Sequence, residues 1–215
     1  MHIALIGGTG DEGMGLAYRL AKAGHRCIIG SRSQERAETA AQELLAKDHA
    51  LRIEGATNAA AAEAGELVVV TTPFDALAPT LPPIAPAIAG KIAVSTVVPM
   101  AFAEGRAAVV PVAEGSAAEH LQALLPGARV VAAFQNLSAK KLLGTKPVDA
   151  DVIVCADDAD AKQRIIELAG EIEGVRGVDG GALANAQMVE AITVLLVSIN
   201  RNYKARAGVR ITGIA

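Results

Sequence analysis

The sequence predicts an α/β fold, a doubly wound and mostly parallel sheet with helices on both faces. Three observations carry that expectation. Short apolar runs alternate with amphipathic, Ala-rich segments along the chain, the pattern of repeated strand–helix–strand units. Of 215 residues, 52% are hydrophobic but only 2% aromatic. The core must therefore be built from Ala, Val, Ile and Leu, which suits strands buried on both faces. Finally, the first apolar run, Ile3-Ala4-Leu5-Ile6, empties straight into a glycine loop and a helix-like segment, "GGTGDEGMGLAYRL". The length suffices for one α/β domain with a small appendage.

The elements follow in order. Strands are expected at Ile3–Ile6, Arg26–Gly30, Arg52–Gly55, Leu67–Thr71 and Ile92–Ser95, each a short apolar or β-branched run. Further strands are expected at Val109–Val112, Arg129–Ala133, Asp151–Cys155 and Val175–Val178. Helices are expected at Gly13–Ala23, Gln34–Ala46, Ala117–Leu125 and Ala159–Glu173, and a long one runs from Asn185 to about Tyr203. Ser116-x-x-Glu119 forms a capping box ahead of the third of these. In "LAPTLPPIAPAIAG", Pro79, Pro82, Pro83 and Pro86 restrict any helix to short pieces. The composition shifts at "LSAKKLLGTK", a basic loop spanning Leu137–Lys146. The expected division is a cofactor domain over 1–136 and a small C-terminal portion over 137–215, for acceptor binding and dimerisation. The final helix, "MVEAITVLLVSI", lacks a polar stripe wide enough for a free surface helix, so it is expected in the core or in a homodimer interface.

Charge and cysteine usage exclude several classes. A net charge of -3 gives no electrostatic footprint for nucleic acid. Cys27 and Cys155 lie in apolar, strand-like runs and read as buried hydrophobes rather than a disulfide pair, which suits a reducing cytosol. The chain starts with a strand rather than a basic segment and an apolar signal region, and the late apolar run Ala191–Ile199 is too short to span a bilayer. The expectation is a cytoplasmic protein with no membrane partner. His2, His25, His49 and His120 show no metal-ligand spacing and there is no Cys-x-x-Cys, so no metal is expected. Carbonyl reduction needs a group to protonate the new alkoxide. Tyr18-x-x-x-Lys22 has the spacing of such a pair, but it follows the glycine loop directly and reads as a surface pair. His25, in a Gly-His turn, reads as a loop residue.

Gly8, Gly10 and Gly13 form G-x-G-x-x-G between a strand and a helix, the Rossmann-type dinucleotide fingerprint. Gly8 permits the tight turn, Gly10 lets the backbone approach a pyrophosphate, and Gly13 lets helix and strand pack closely; Gly15 adds room. Free N–H groups and the positive end of the helix dipole then face the phosphates. Asp11 and Glu12 sit inside this loop. They read as first-turn acids that stabilise the helix start while facing away from the ligand. A dinucleotide site for NAD usually carries an acid about twenty residues further on. Here "IIGSRSQER" places Ser31 and Arg32 there, with Ser33 beside them and Arg36 a turn later, so two guanidiniums are available for a 2′-phosphate. NADP(H) is the expected cofactor.

Taken together, "IALIGGTGDEGMGLAYRLAKAGH", "IIGSRSQERAE", "IAVSTVVPM" and "GGALANAQMVEAITVLLVSINR" resemble the NADPH:coenzyme F420 oxidoreductase family, from Met1 through the final "GVRITGI". That resemblance implies hydride exchange between the nicotinamide C4 of NADPH and C5 of a deazaflavin, with positioning in place of acid–base catalysis. It implies that Thr9, Ser31, Arg32 and Arg36 contact NADP, and that Thr71, Thr72 and Pro73 line the nicotinamide side. Val97, Val98, Pro99 and the segment Phe134-Gln135-Asn136 would approach coenzyme F420. Gln135-Asn136 stands where the family pattern has a His-Thr pair; both amides can bond to a heterocycle edge, or simply end a strand. Lys140, Lys141 and Lys146 would meet the acidic tail of the deazaflavin or form an exposed basic loop. The open alternatives are an NADPH-dependent reductase of a flavin, ferric chelate or pterin, and a non-catalytic NADP sensor.

Overall fold

A computed structural model describes residues 1–103 and 105–214. Its elements in chain order are β1 His2–Ile6, α1 Asp11–Lys22, β2 Arg26–Ser31, α2 Gln34–Lys47, β3 Arg52–Thr57, α3 Asn58–Ala64 and β4 Leu67–Val70. Next come two short pieces, α4 Leu77–Thr80 and α5 Ala85–Ile88, then β5 Ile92–Ser95, β6 Met100–Ala103, β7 Arg106–Val109, α6 Ala117–Leu124 and β8 Arg129–Ala132. The chain continues through α7 Ala139–Leu142, β9 Ala150–Val154, α8 Ala159–Gly170, β10 Val175–Asp179 and α9 Ala186–Tyr203. The prolines confine the helices between β4 and β5 to single turns, as expected.

Six strands form one sheet in the order β3-β2-β1-β4-β5-β8, every neighbouring pair parallel. The alternation of side chains along β1 sorts the core into two layers. Ile3 and Leu5 face a cluster with Leu16 and Leu20 of α1, Leu44 of α2 and Ile165 of α8. Ala4 and Ile6 face the other, with Ala61, Leu77, Leu121 and Val189. The expected doubly wound sheet is therefore present. Strand order reverses between β1 and β4, and a crevice at the carboxyl ends of such strands is where open α/β sheets bind ligands. Strands β9 and β10 form a second parallel pair. The end of β9 hooks onto the edge strand β8 by an antiparallel bridge, with Ala132 and Cys155 exchanging backbone hydrogen bonds of 2.8 and 3.0 Å.

Several local expectations are revised. The strand expected at Val109–Val112 is instead β7, Arg106–Val109, antiparallel to the unforeseen β6. Tyr18 is not a surface residue: it is buried, with the cations of Arg19, Lys22 and Lys47 within 6 Å of its ring centre (5.9, 5.7 and 5.9 Å). Ser116 does cap α6, accepting from the Glu119 N–H at 3.0 Å while its hydroxyl donates to the Glu119 carboxylate at 2.9 Å. Helix α9 with its leading turn, Leu183–Tyr203, is longer than the apolar run alone and meets the length and composition of a membrane span. Near its start, however, the buried Glu190 carboxylate accepts the N–H groups of Ala117 and Ala118 at the head of α6. Beyond α9, the chain turns at Lys204 in the left-handed region (φ 50°) and folds back onto β9. There the buried Asp151 carboxylate holds Arg176, Arg210 and the Ile211 N–H.

Candidate dinucleotide and acceptor cleft

The glycine loop divides into glycines the protein needs and one it does not. A Cβ on Gly7 (φ +70°) would strike the Thr72 methyl, one on Gly8 would lie 2.8 Å from the Leu5 carbonyl oxygen, and one on Gly13 would lie 2.5 Å from the Gly8 Cα. These positions let β1, β4 and α1 close on one another. A Cβ on Gly10 would meet no protein atom within 4 Å, and its φ of −86° suits any residue. The open space before Gly10 lies at the N-cap of α1, where backbone N–H groups lack helical partners.

A cavity of about 330 Å³ extends from this point along the carboxyl ends of β1, β2 and β4, lined by Thr9, Gly10, Ser31, Arg32, Arg36 and Thr71–Pro73 among others. Ser31 is buried; Arg32 and Arg36 are exposed, and neither guanidinium takes part in a hydrogen bond or ion pair with a described residue. Two uncommitted cations at the end of β2 are the donor set that a 2′-phosphate needs.

Thr71, Thr72 and Pro73 also line a second cavity of about 490 Å³, so the two meet along this short wall. Its far side is Val97, Val98, Gln135, Asn136 and Thr193. Pro99, expected with them, is buried and is in the lining of neither cavity; its carbonyl accepts from the Val110 N–H at 2.8 Å. Gly8 and Gly13 pack beneath the loop, and Asp11 is exposed, as expected for a helix-stabilising acid. Glu12 is not. Its side chain lines the second cavity, and its Oε1 is shut off from solvent without a partner. Burial pushes the Glu12 carboxyl up to about 8. Glu12 is therefore not the solvent-facing acid expected, since it shares a cavity wall with the segment Gln135–Ala139.

Buried polar atoms normally find partners. Among the described residues, unpartnered ones concentrate here: Glu12 Oε1, Thr72 Oγ1, both amide atoms of Gln135, and Asn136 Oδ1. One other, His120 Nδ1, lies 3.0 Å from the Glu114 carboxylate, outside the cleft. The segment that carries the amides is held in place. Asn136 Nδ2 donates to the Asp151 main-chain carbonyl at 2.6 Å, and the Thr193 hydroxyl donates to the main-chain carbonyl of Gln135 at 3.0 Å, leaving the Gln135 side-chain amide unpartnered. Phe134, fully buried, adopts φ 72°, a left-handed conformation costing a bulky residue roughly 1–3 kcal/mol. That strained turn presents Gln135 to the cleft. Sequence reasoning placed Phe134 in the acceptor segment but missed its left-handed backbone, which leaves no mark in composition or periodicity, and it missed Thr193 altogether.

Among the described residues no group of His, Cys, Asp or Glu is placed to hold a metal. Burial raises the thiols of Cys27 to about 12 and Cys155 to about 11, so neither supplies a thiolate at neutral pH. A further cavity of about 550 Å³, lined by Met1, His2, Arg26 and Arg52, lies at the amino ends of the strands and carries none of the orphaned atoms.

Over 222 aligned residues the chain is 46% identical to the F420-dependent NADP reductase of Methanothermobacter marburgensis, covering 100% of this chain and 99% of that protein. The chain belongs to the F420-dependent NADP reductase family. A second member, the F420-dependent NADP reductase of Methanocaldococcus jannaschii, is 41% identical over 100% of this chain and 99% of its own length. The profile of the family described as NADP oxidoreductase, coenzyme F420-dependent, matches residues 2–99, the part carrying the glycine loop and the Ser31-Arg32 pair. Among solved structures, a protein from Arthrobacter sp. assigned as an F420-dependent NADP-reductase superposes with a TM-score of 0.81 at 26% identity, covering 95% of both chains. The family's fold therefore extends well past the profile, through the Gln135-Asn136 wall and α9.

Proposed function

We propose that this protein transfers a hydride between NADP(H) and coenzyme F420. The single observation that carries the reading is the set of orphaned amide and hydroxyl atoms lining one cleft that joins a phosphate-accepting glycine loop. Such atoms are costly when unmet and are satisfied by flat heterocycles with amide edges, as nicotinamide and a deazaflavin both have. The fit to NADP(H) rests on the open space at Gly10 and on the uncommitted Arg32 and Arg36.

When bound, the nicotinamide supplies or takes the hydride and the deazaflavin is its counterpart. The chain's own work is positioning. Free N–H groups at the start of α1 hold the pyrophosphate, and Arg32, Arg36 and Ser31 select the 2′-phosphate. Thr71, Thr72 and Pro73 form the wall where one ring meets the other, and the Gln135 amide, with a donor and an acceptor both free, fixes the acceptor's edge. Val97, Val98 and Leu196 exclude water from the cleft. No acid or base is required at the reacting carbons, since proximity and orientation alone lower the barrier to direct hydride transfer.

Residues 1–136 act as the NADP-binding domain and 137–215 as the acceptor-binding and dimerising portion. The exposed Met188, Leu195 and Tyr203 of α9 and Phe102 of β6 support a homodimer, and the free, buried Cys27 and Cys155 support a reducing, cytoplasmic location. Stopped-flow absorbance of F420 mixed with NADPH tests the reaction. Bleaching of the deazaflavin is expected; bleaching of a free flavin in preference to F420 would assign a different acceptor to Gln135-Asn136. Sedimentation equilibrium tests the dimer.

A further inference from the structure

Among the described residues Glu12 is the one ionisable side chain on the cleft wall, and none of them bonds to its carboxyl. No Lys, Arg or His among the described residues lines the cavity to serve as a counter-charge. Among the described residues, Asp75 beside Phe74 and Lys204 and Arg206 near Ala207 are exposed, and the charged groups on the neighbouring helices are spoken for or turned away. On α1 itself Asp11 is exposed, and the Arg19 guanidinium faces the carbonyls of Lys141, Leu142, Gly144 and Lys146. On α7, Lys140 is exposed and Lys141 half-buried, and neither reaches the cavity. On α9, Glu190 is bonded to the head of α6 and Arg201 lies beside Gly105. The adenosine end of a dinucleotide belongs at Arg32 and Arg36, in the first cavity. Glu12 lines the second, across the Thr71–Pro73 wall, and so faces the ring-bearing end.

We propose that Glu12 is a positioning residue that works as a neutral carboxylic acid, donating its proton in a hydrogen bond at the ring end of bound NADP(H), so that dinucleotide binding fixes one proton on this side chain. The inference rests on the reading of the cleft as an NADP(H) site. Its physical basis is that a half-buried carboxyl, with one oxygen shut off from solvent and without a counter-charge, favours its neutral form, which is also the form that can donate. Arrival of a doubly charged pyrophosphate at the neighbouring N–H groups of α1, and closure of the cleft by the ligand, both disfavour the carboxylate further. The proton comes from solvent and no bond to carbon is made or broken. In alkaline solution, where the free protein has lost that proton, NADPH must bring it back.

Isothermal titration calorimetry of NADPH into the full chain, at about pH 8.5 in buffers of small and large ionisation enthalpy, counts protons directly. The free protein is then mostly ionised at Glu12, while the cofactor's own 2′-phosphate, titrating near 6, stays silent. About half a proton or more should be taken up per NADPH by the wild type and almost none by Glu12→Gln. The isosteric amide keeps a donor, so Glu12→Gln should bind NADPH at pH 7 within about threefold of the wild type. Its affinity should then stay flat with pH, while that of the wild type falls toward tenfold per unit above pH 8. A wild-type proton count of zero, or equal counts in the two proteins, overturns the role assigned to Glu12 and leaves the cleft assignment standing. Absence of NADPH binding at pH 7 overturns the cleft assignment and this inference with it. Infrared difference spectra of the wild type alone give a check independent of any variant: a protonated carboxyl band should grow on NADPH addition at alkaline pH, and an unchanged spectrum counts against the proposal.

Discussion

Placing a methyl group on Gly10 separates what the glycine loop does for the fold from what it does for the ligand. In Gly10→Ala the new Cβ meets no protein atom within 4 Å, and the backbone at φ −86°, ψ 168° is ordinary extended geometry. Two small terms oppose one another in stability. Removing a glycine narrows the unfolded ensemble by about 0.4–1 kcal/mol. Replacing glycine by alanine at an N-cap costs up to about 1 kcal/mol. Their sum leaves the melting temperature within about 3 °C of the wild type for a chain of this size. Binding is another matter, because the methyl occupies the approach of the pyrophosphate to the N–H groups. Loss of one charge-assisted hydrogen bond costs roughly 1.5–3 kcal/mol, or about 10- to 150-fold in Kd. Gly13→Ala should behave in the opposite way: its Cβ, 2.5 Å from the Gly8 Cα, forces α1 off β1 and costs on the order of 1–3 kcal/mol in stability. Differential scanning fluorimetry and NADPH titration of both variants test the contrast. Unchanged NADPH affinity in a folded Gly10→Ala would refute the assignment of this loop to the phosphates.

Further outcomes follow from the same cleft and its supports. Arg32→Ala should weaken NADPH by about 10- to 100-fold with little change for NADH, and Ser31→Asp should go further; kcat/KM for both cofactors measures it. A wild type that uses NADH as well as NADPH would remove the role of this cluster. Gln135→Ala should weaken F420 by about 0.5–1.5 kcal/mol and leave NADPH nearly intact, read by fluorescence titration of each ligand; equal losses would make the residue a fold element. The Arg176 guanidinium, followed by the Ile211 N–H and Arg210, holds the Asp151 carboxyl well below the usual carboxylate range. A depressed native pKa contributes stability above the ordinary value near 4 and loses it as pH falls below that value. Hydrogen-exchange protection factors over residues 205–214 should therefore fall selectively in acid, and Asp151→Asn should show the same release at pH 7.

The sheet was legible because its central strands β1, β4 and β5 are short apolar runs, and the binding loop because its glycines sit between a strand and a helix. What escaped was set by parts of the chain remote in sequence. Whether Glu12 faces water or the cleft depends on Gln135–Ala139, more than a hundred residues away, and a first-turn acid looks the same either way. Tyr18 is covered by Lys47 on the next helix, a contact that no periodicity within α1 reveals. The hairpin of β6 and β7 is built from "MAFA" and "RAAV", alanine-rich segments with little β preference, and its register comes from pairing rather than composition. Asp151, in turn, reads as a stray acid within an apolar strand until Arg210 folds back from 59 residues later to meet it.

Arg19 has a consequence for how this scaffold can change. Its buried guanidinium, facing four carbonyls between Lys141 and Lys146 at 2.7–2.9 Å, moors the loop that follows the acceptor wall to the same helix that starts at the phosphate loop. Gly15 tightens the mooring, since a Cβ there would lie 2.7 Å from the Leu142 Cβ. Backbone on the acceptor side thus inherits the placement of the cofactor side, and length changes between 139 and 147 would shift both ligands together. The Gln135 side chain, with both amide atoms unpartnered, is free of that constraint, whereas Asn136 is tied to the Asp151 carbonyl. New acceptors are accordingly easier to reach by exchanging residue 135 than by grafting loops, and a library confined to that position should keep NADPH binding intact in most of its members.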